Sequence, residues 1–143
     1  MNNDRSKAIA RMRELVAAKV PFVHQGRDFN GIDCVGALIY AEEYDGDIPS
    51  YPDNPVNGEL ERHLSSILGP PTFVRPFDYG LLLPGDILSM QYKGPIRHVA
   101  LVVPHVSIPN QLSIAHTDSS VGYVTEHILD LKWLRRIVKV WRR

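Results

Sequence analysis

The one cysteine of this 143-residue chain stands in NGIDCVGAL, residues 30–38. Asp33 precedes it, Gly31 and Gly36 flank it, and an apolar run with helical character follows. A thiol attacks as its anion, and an ordinary pKa of about 8.5 leaves little thiolate at neutral pH. A helix start lowers that value, because its unpaired N–H groups and dipole favour negative charge. Cys34 is therefore expected at a helix N-terminus with a depressed pKa. Asp33 is expected to cap the helix by accepting its free amides. Gly31 and Gly36 leave room for a second chain to approach the sulfur, and first-turn amides can hold an oxyanion. The same stretch also suits a small buried hydrophobe or a metal ligand. A single cysteine forms no internal disulfide.

A nucleophilic thiol needs a base within hydrogen-bond reach. There are six histidines: His24, His63, His98, His105, His116 and His127. His98 is the sharpest, since it opens RHVALVV and shares a strand face with Ala100 and Val102. His116 ends the next strand in SIAHTDS, after a hairpin-like connection through PHVSIPN. Antiparallel pairing brings His98 and His116 side by side, which gives a thiol, an imidazole and a polar orienter. Cys34, His98 and His116 can also be read as a zinc site. The chain lacks paired C-x-x-C or H-x-x-x-H spacing, however, so no metal and no cofactor is expected.

Helices come first and strands second along the chain. Residues 4–19 carry Ile9, Met12, Val16, Ala8 and Leu15 at helical spacing, and Pro21 ends them. PFVHQGRDFNG is a loop broken by Gly26 and Gly31. Further helices are expected at Cys34 to about Glu43 and around Gly58 to Leu68, with a proline-rich excursion between them. LLPGDILSMQY, RHVALVV, QLSIAH, GYVTEHI and RRIVKVW read as strands, and LDLKWL as a turn or helix. The expected fold class is α+β, with N-terminal helices packed on an antiparallel sheet from the C-terminal half. The whole of 1–143 is expected to be one domain, because neither half has enough apolar surface for its own core.

A hydrophobic content of 44% and a charged content of 22% are those of an ordinary globular chain. Sixteen basic and sixteen acidic residues cancel, which argues against a nucleic-acid binder. The basic end, KWLRRIVKVWRR, reads as an amphipathic closing strand with solvated charges. No apolar run is long enough to cross a bilayer, so no membrane insertion is expected. MNNDRSKAIARMREL lacks the apolar block of a secretory signal, so cytoplasmic synthesis is expected.

The series PFVHQGRDFNGIDCVGALIY, LLPGDIL, RHVALVV and IAHTDS resembles the NlpC/P60 family of cysteine peptidases over nearly the whole chain. The resemblance implies a papain-like α+β fold with a Cys-His-His triad: Cys34 as nucleophile, His98 as base and His116 as orienter. It implies an endopeptidase cutting peptidoglycan stem peptides at the bond between γ-D-glutamate and the diamino acid. Two positions depart from the family pattern. Phe22 stands where a tyrosine hydroxyl commonly assists the oxyanion, which leaves His24 or Gln25 to substitute, and Val35 stands where serine is common. PFVHQGR, DCVGAL and the segment VTEHILDLKWLRRIVKVWRR resemble the phage-encoded, tail-tip subgroup. That likeness implies tail-tip partner proteins and delivery to the cell wall on a virion tail. It equally allows a tail assembly component with a weak or idle pocket. The segment from Tyr40 to Pro55 and GPPTFVRPFDYG are the expected partner contacts.

Overall fold

The structure is a computed structural model that describes residues 3–51, 58–93 and 96–143. Helix α1 spans Asn3–Ala17. A short hairpin of β1 (Arg27–Asp28) and β2 (Gly31–Ile32) leads into α2 (Cys34–Glu42). After α3 (Glu59–Leu68) come β3 (Phe73–Val74), β4 (Ile87–Gln91), β5 (Ile96–Pro104), β6 (Leu112–His116), β7 (Thr125–Ile128), α4 (Leu131–Leu134) and β8 (Ile137–Trp141). The last six strands form one antiparallel sheet in the order β3-β8-β4-β5-β6-β7. The expected helices and five main strands are all present. The two-residue strands β1, β2 and β3 are additional, being too short for any alternation of side chains to reveal.

Period-two alternation divides the sheet into two apolar faces. Ile87, Val99, Leu101, Val103, Ala115 and Trp141 meet Met12, Leu15, Val35, Leu38 and Leu60 from the helices. Leu88, Met90, Ala100, Val102, Ile114 and Val140 face the other way and pack with Leu82 and Leu129. Trp133 and Leu134 of α4 and Phe73 and Phe77 cover that second face. The N-terminal helices α1–α3 therefore take one side of the sheet, as expected, while α4 and connecting segments close the other.

The basic C-terminal strand departs from the expectation. β8 lies inside the sheet between β3 and β4 and is buried along both faces, so it is not amphipathic. Its charges are paired: Lys139 with Glu61 at 3.3 Å, Arg142 with Asp86 at 2.9 Å and Arg143 with Glu42 at 3.1 Å. Of the excursion expected to be a partner contact, residues 52–57 lie outside the described residues.

Buried Arg5 joins α1 to α2 and to the turn before β4. Its guanidinium forks onto Glu42 at 2.6 and 2.7 Å and also donates to the carbonyl of Gly85. Gly85 has φ 95°, and a Cβ there would strike the Arg5 side chain, so the turn needs glycine on both counts. Replacing Arg5 by Met should cost about 3 kcal/mol, because Glu42 and the Gly85 carbonyl lose their main donor away from water. Urea unfolding would measure this, and a loss of only a few tenths would show that the pair is dispensable.

Candidate active site

α2 starts where Asp33 turns the chain. Oδ1 of Asp33 accepts from the Gly36 N–H at 2.8 Å, the N-cap bond anticipated from the sequence. The same carboxylate accepts from Arg27 Nη1 at 2.8 Å, from the Gln25 N–H at 2.9 Å and from the Tyr51 hydroxyl. Asp33 thus ties residues 25–27 and Tyr51 to the helix start. His24 and Gln25 belong to this loop: a His24 ring nitrogen lies 3.0 Å from the Tyr51 carbonyl and 3.2 Å from the Gln25 amide. Phe22 is held by its backbone, donating to the Gly122 carbonyl at 2.8 Å and bridging to Ile32.

The flanking glycines are positions of close packing within the fold. A Cβ on Gly31 would strike Val23, and one on Gly36 would meet the Gly26 carbonyl at 2.4 Å. They let the loop pack against the helix. Cys34 is half-buried, and its sulfur lies against the backbone of Val99, the residue after His98. Burial pushes the thiol up to about 12, and the negative charge of Asp33 adds to the shift. Backbone hydrogen bonds from Val99 and Val35 favour the anion but are outweighed. The expectation of a depressed resting pKa is therefore corrected, because the cap that orders the helix also brings a carboxylate beside the thiol.

Both expected histidines are buried and adjacent. β5 and β6 pair in the register Val102↔Ile114, and His98 Nε2 lies 2.7 Å from His116 Nδ1. Burial lowers His98 to about 4, with Asp118 opposing and the positive charge of Arg136 adding to the fall. Burial likewise lowers His116 to about 2, and the neighbouring rings and the Arg136 guanidinium disfavour a second positive charge there. At neutral pH the resting site thus holds a neutral thiol and neutral imidazoles.

The surrounding side chains were not singled out in the sequence. Tyr92 packs on His98 at 5.3 Å between ring centroids and donates its hydroxyl to Asp118 at 2.9 Å. Burial works against the Asp118 carboxylate, yet bonds from Ser120 and the Val121 N–H hold it at about 2. Trp133 covers His116 and His127 at 5.1 and 4.7 Å, and Arg136 lies over the Trp133 ring at 4.4 Å. His127 was one of six histidines, and the register Ile114↔His127 places it diagonally beside His116. That hairpin, turning through DSSVGY, is the signal that would have found it.

Donor atoms of His98, His116 and Asp118 lie within 4.8 Å of one another. This differs from the sequence-derived trio, with Asp118 in place of Cys34.

No protein-family model matches the chain, and no curated protein matches it. Among solved structures it is similar to a Staphylococcus aureus protein described as similar to lipoprotein, NLP/P60 family, with a TM-score of 0.60 and 13% identity. The alignment covers 99% of this chain and 42% of that one, so this chain spans less than half of its neighbour's length. The likeness establishes a shared fold: helices against an antiparallel sheet.

Alkylation of Cys34 in the resting protein should rise only at strongly alkaline pH; a midpoint below 8.5 would contradict the burial argument. The histidines also set a stability profile. Their folded-state values, about 4 and about 2, lie below the unfolded value near 6.5. The unfolded chain therefore binds protons first as pH falls. Stability should be level above about 6.5, decline between 6.5 and about 4, and keep declining towards 2. His116→Asn should flatten that decline in thermal melts, and an unchanged slope would remove the histidines as its source.

Proposed function

We propose that this chain is a cysteine peptidase of the NlpC/P60 type, papain-like in arrangement, that cleaves peptidoglycan stem peptides at the γ-D-glutamyl–diamino acid bond. One observation carries the reading: the 2.7 Å contact between His98 and His116 sits on the strand whose next residue, Val99, touches the Cys34 sulfur. The fold shared with an NLP/P60 protein and the motif series around Cys34 support it.

In this reading the neutral thiol passes its proton to His98 as sulfur attacks the stem-peptide carbonyl. A neutral resting pair keeps charge out of a dry site until substrate arrives, when the developing oxyanion and imidazolium offset one another. Imidazolium His98 then protonates the leaving amine, and a water activated by His98 releases the acyl-enzyme. His116 holds the far ring nitrogen of His98. Asp33 shapes the helix start and takes no part in proton transfer. Delivery on a phage tail tip or a related particle, in contact with tail proteins, is supported by the likeness of PFVHQGR, DCVGAL and the C-terminal segment to that subgroup.

Cys34→Ala should abolish release of muropeptide fragments, with a loss of at least about 10³-fold, while the thermal melt stays near that of the parent. Retained cleavage by the alanine variant would exclude the mechanism. A second reading, an assembly component with an idle pocket, is favoured by Phe22 and by the raised thiol. It prevails if the parent protein cuts no muropeptide yet assembled particles require the chain.

A further inference from the structure

The two buried histidines are part of a longer chain of rings. His98 Nε2 lies 2.7 Å from His116 Nδ1, His116 Nε2 lies 2.7 Å from His127 Nε2, and His127 Nδ1 lies 3.0 Å from the carbonyl of Ile128. The last group gives the chain a direction. A carbonyl only accepts, so His127 Nδ1 carries a hydrogen. A neutral His127 then presents a bare Nε2, which must accept from His116 Nε2. His116 Nδ1 is therefore bare and accepts from His98 Nε2. The alternation ends with Nδ1 of His98 as an unprotonated lone pair, a state that a base needs and an isolated histidine would only partly populate.

We propose that His127 is a positioning residue for this site, fixing the tautomers of His98 and His116 and reversing them when it is protonated. The proposal rests on the reading of His98 as the base. His127 is suited to the part because it is half-buried on the edge strand β7, where protons from solvent reach it, while His98 and His116 are sealed. Once cationic, His127 donates from both nitrogens. His116 Nε2 must then accept, its Nδ1 takes the hydrogen, and His98 Nε2 accepts in turn. The hydrogen of His98 moves to Nδ1, and the base can no longer take the thiol proton. No atom is gained or lost beyond the one proton bound at His127.

The rings are clamped for this role. Trp133 packs on both His116 and His127, and Tyr92 meets Trp133 edge-on with centroids 5.9 Å apart. The charged groups facing the chain are Asp118 from the segment after β6 and Arg136 from the segment after α4. The neighbouring Glu126 on β7 is engaged by Arg13 at 3.1 Å.

The test is nitrogen NMR of the full chain labelled with ¹⁵N-histidine, carrying Cys34→Ala so that no thiol titrates. At neutral pH the expected spectrum shows His98 and His116 protonated at Nε2 and His127 at Nδ1. On acidification His98 should switch to Nδ1–H together with protonation of His127. His98 carrying its hydrogen on Nδ1 at neutral pH would overturn the proposal, whether or not the protein cleaves peptidoglycan. In the Cys34-containing chain, His127→Phe should lower kcat for muropeptide about tenfold with KM unchanged. His127→Gln, which keeps one donor and one acceptor but binds no proton, should restore most of that loss and remove the acid fall-off. Phe and wild type with equal kcat and the same pH profile would also overturn it. A tautomer pattern as expected in a chain that cuts no muropeptide would sink the peptidase reading alone.

Discussion

The Asp33 carboxylate is the constraint on which the local architecture turns. Four donors converge on it: the Gly36 and Gln25 amides, the Arg27 guanidinium and the Tyr51 hydroxyl. A buried carboxylate is unfavourable unless fully bonded, and here the fold meets that requirement by drawing a loop, a helix start and a distant tyrosine onto one group. Cys34 inherits its position from this arrangement, one residue further along and pressed against β5. The same proximity makes the thiol harder to ionise. Order and reactivity are thus in opposition at adjacent residues.

Desolvation dominates the electrostatics around the paired histidines. His98 is 2% exposed and His116 1% exposed, and each would have to give up most of its hydration to become charged. Asp118 is the compensating anion, within reach of both rings and anchored by the Ser120 hydroxyl and the Tyr92 hydroxyl. The neutral ground state follows from the packing of Trp133 and Tyr92 against the imidazoles, which excludes water, and from the Arg136 guanidinium that already occupies the faces of the Tyr92 and Trp133 rings.

How much of this the sequence discloses depends on the range of the interaction. Local rules were readable: Asp33 capping a helix that opens at Cys34, the strand RHVALVV, and a hairpin that sets His98 by His116. So was the α+β order of elements. What escaped is the second hairpin, β6–β7, and the contacts between elements distant in sequence. His127 enters the site only through the β6–β7 register, Trp133 and Arg136 only through α4 folding back over the second face, and Arg27 only through its bond to Asp33. The thiol pKa runs opposite to the sequence expectation because a helix start and a neighbouring carboxylate act in opposite senses, and burial decides between them.

The placement of β8 carries a consequence for how the molecule comes into being. Val140 lies opposite Phe73 of β3 on one side and Leu88 of β4 on the other, and the Trp141 indole donates to the Gly69 carbonyl at 3.0 Å. A strand in the middle of the sheet is thus supplied by residues 137–141, far along the sequence from β3 at residues 73–74. A ribosome that has released only the first 130 residues holds a sheet split between β3 and β4. Loop closure across such separations is slow and is rewarded only when the final contacts form. Assembly therefore waits for residues 137–141, and until they dock β3 stays parted from β4 and the strands that carry the paired histidines.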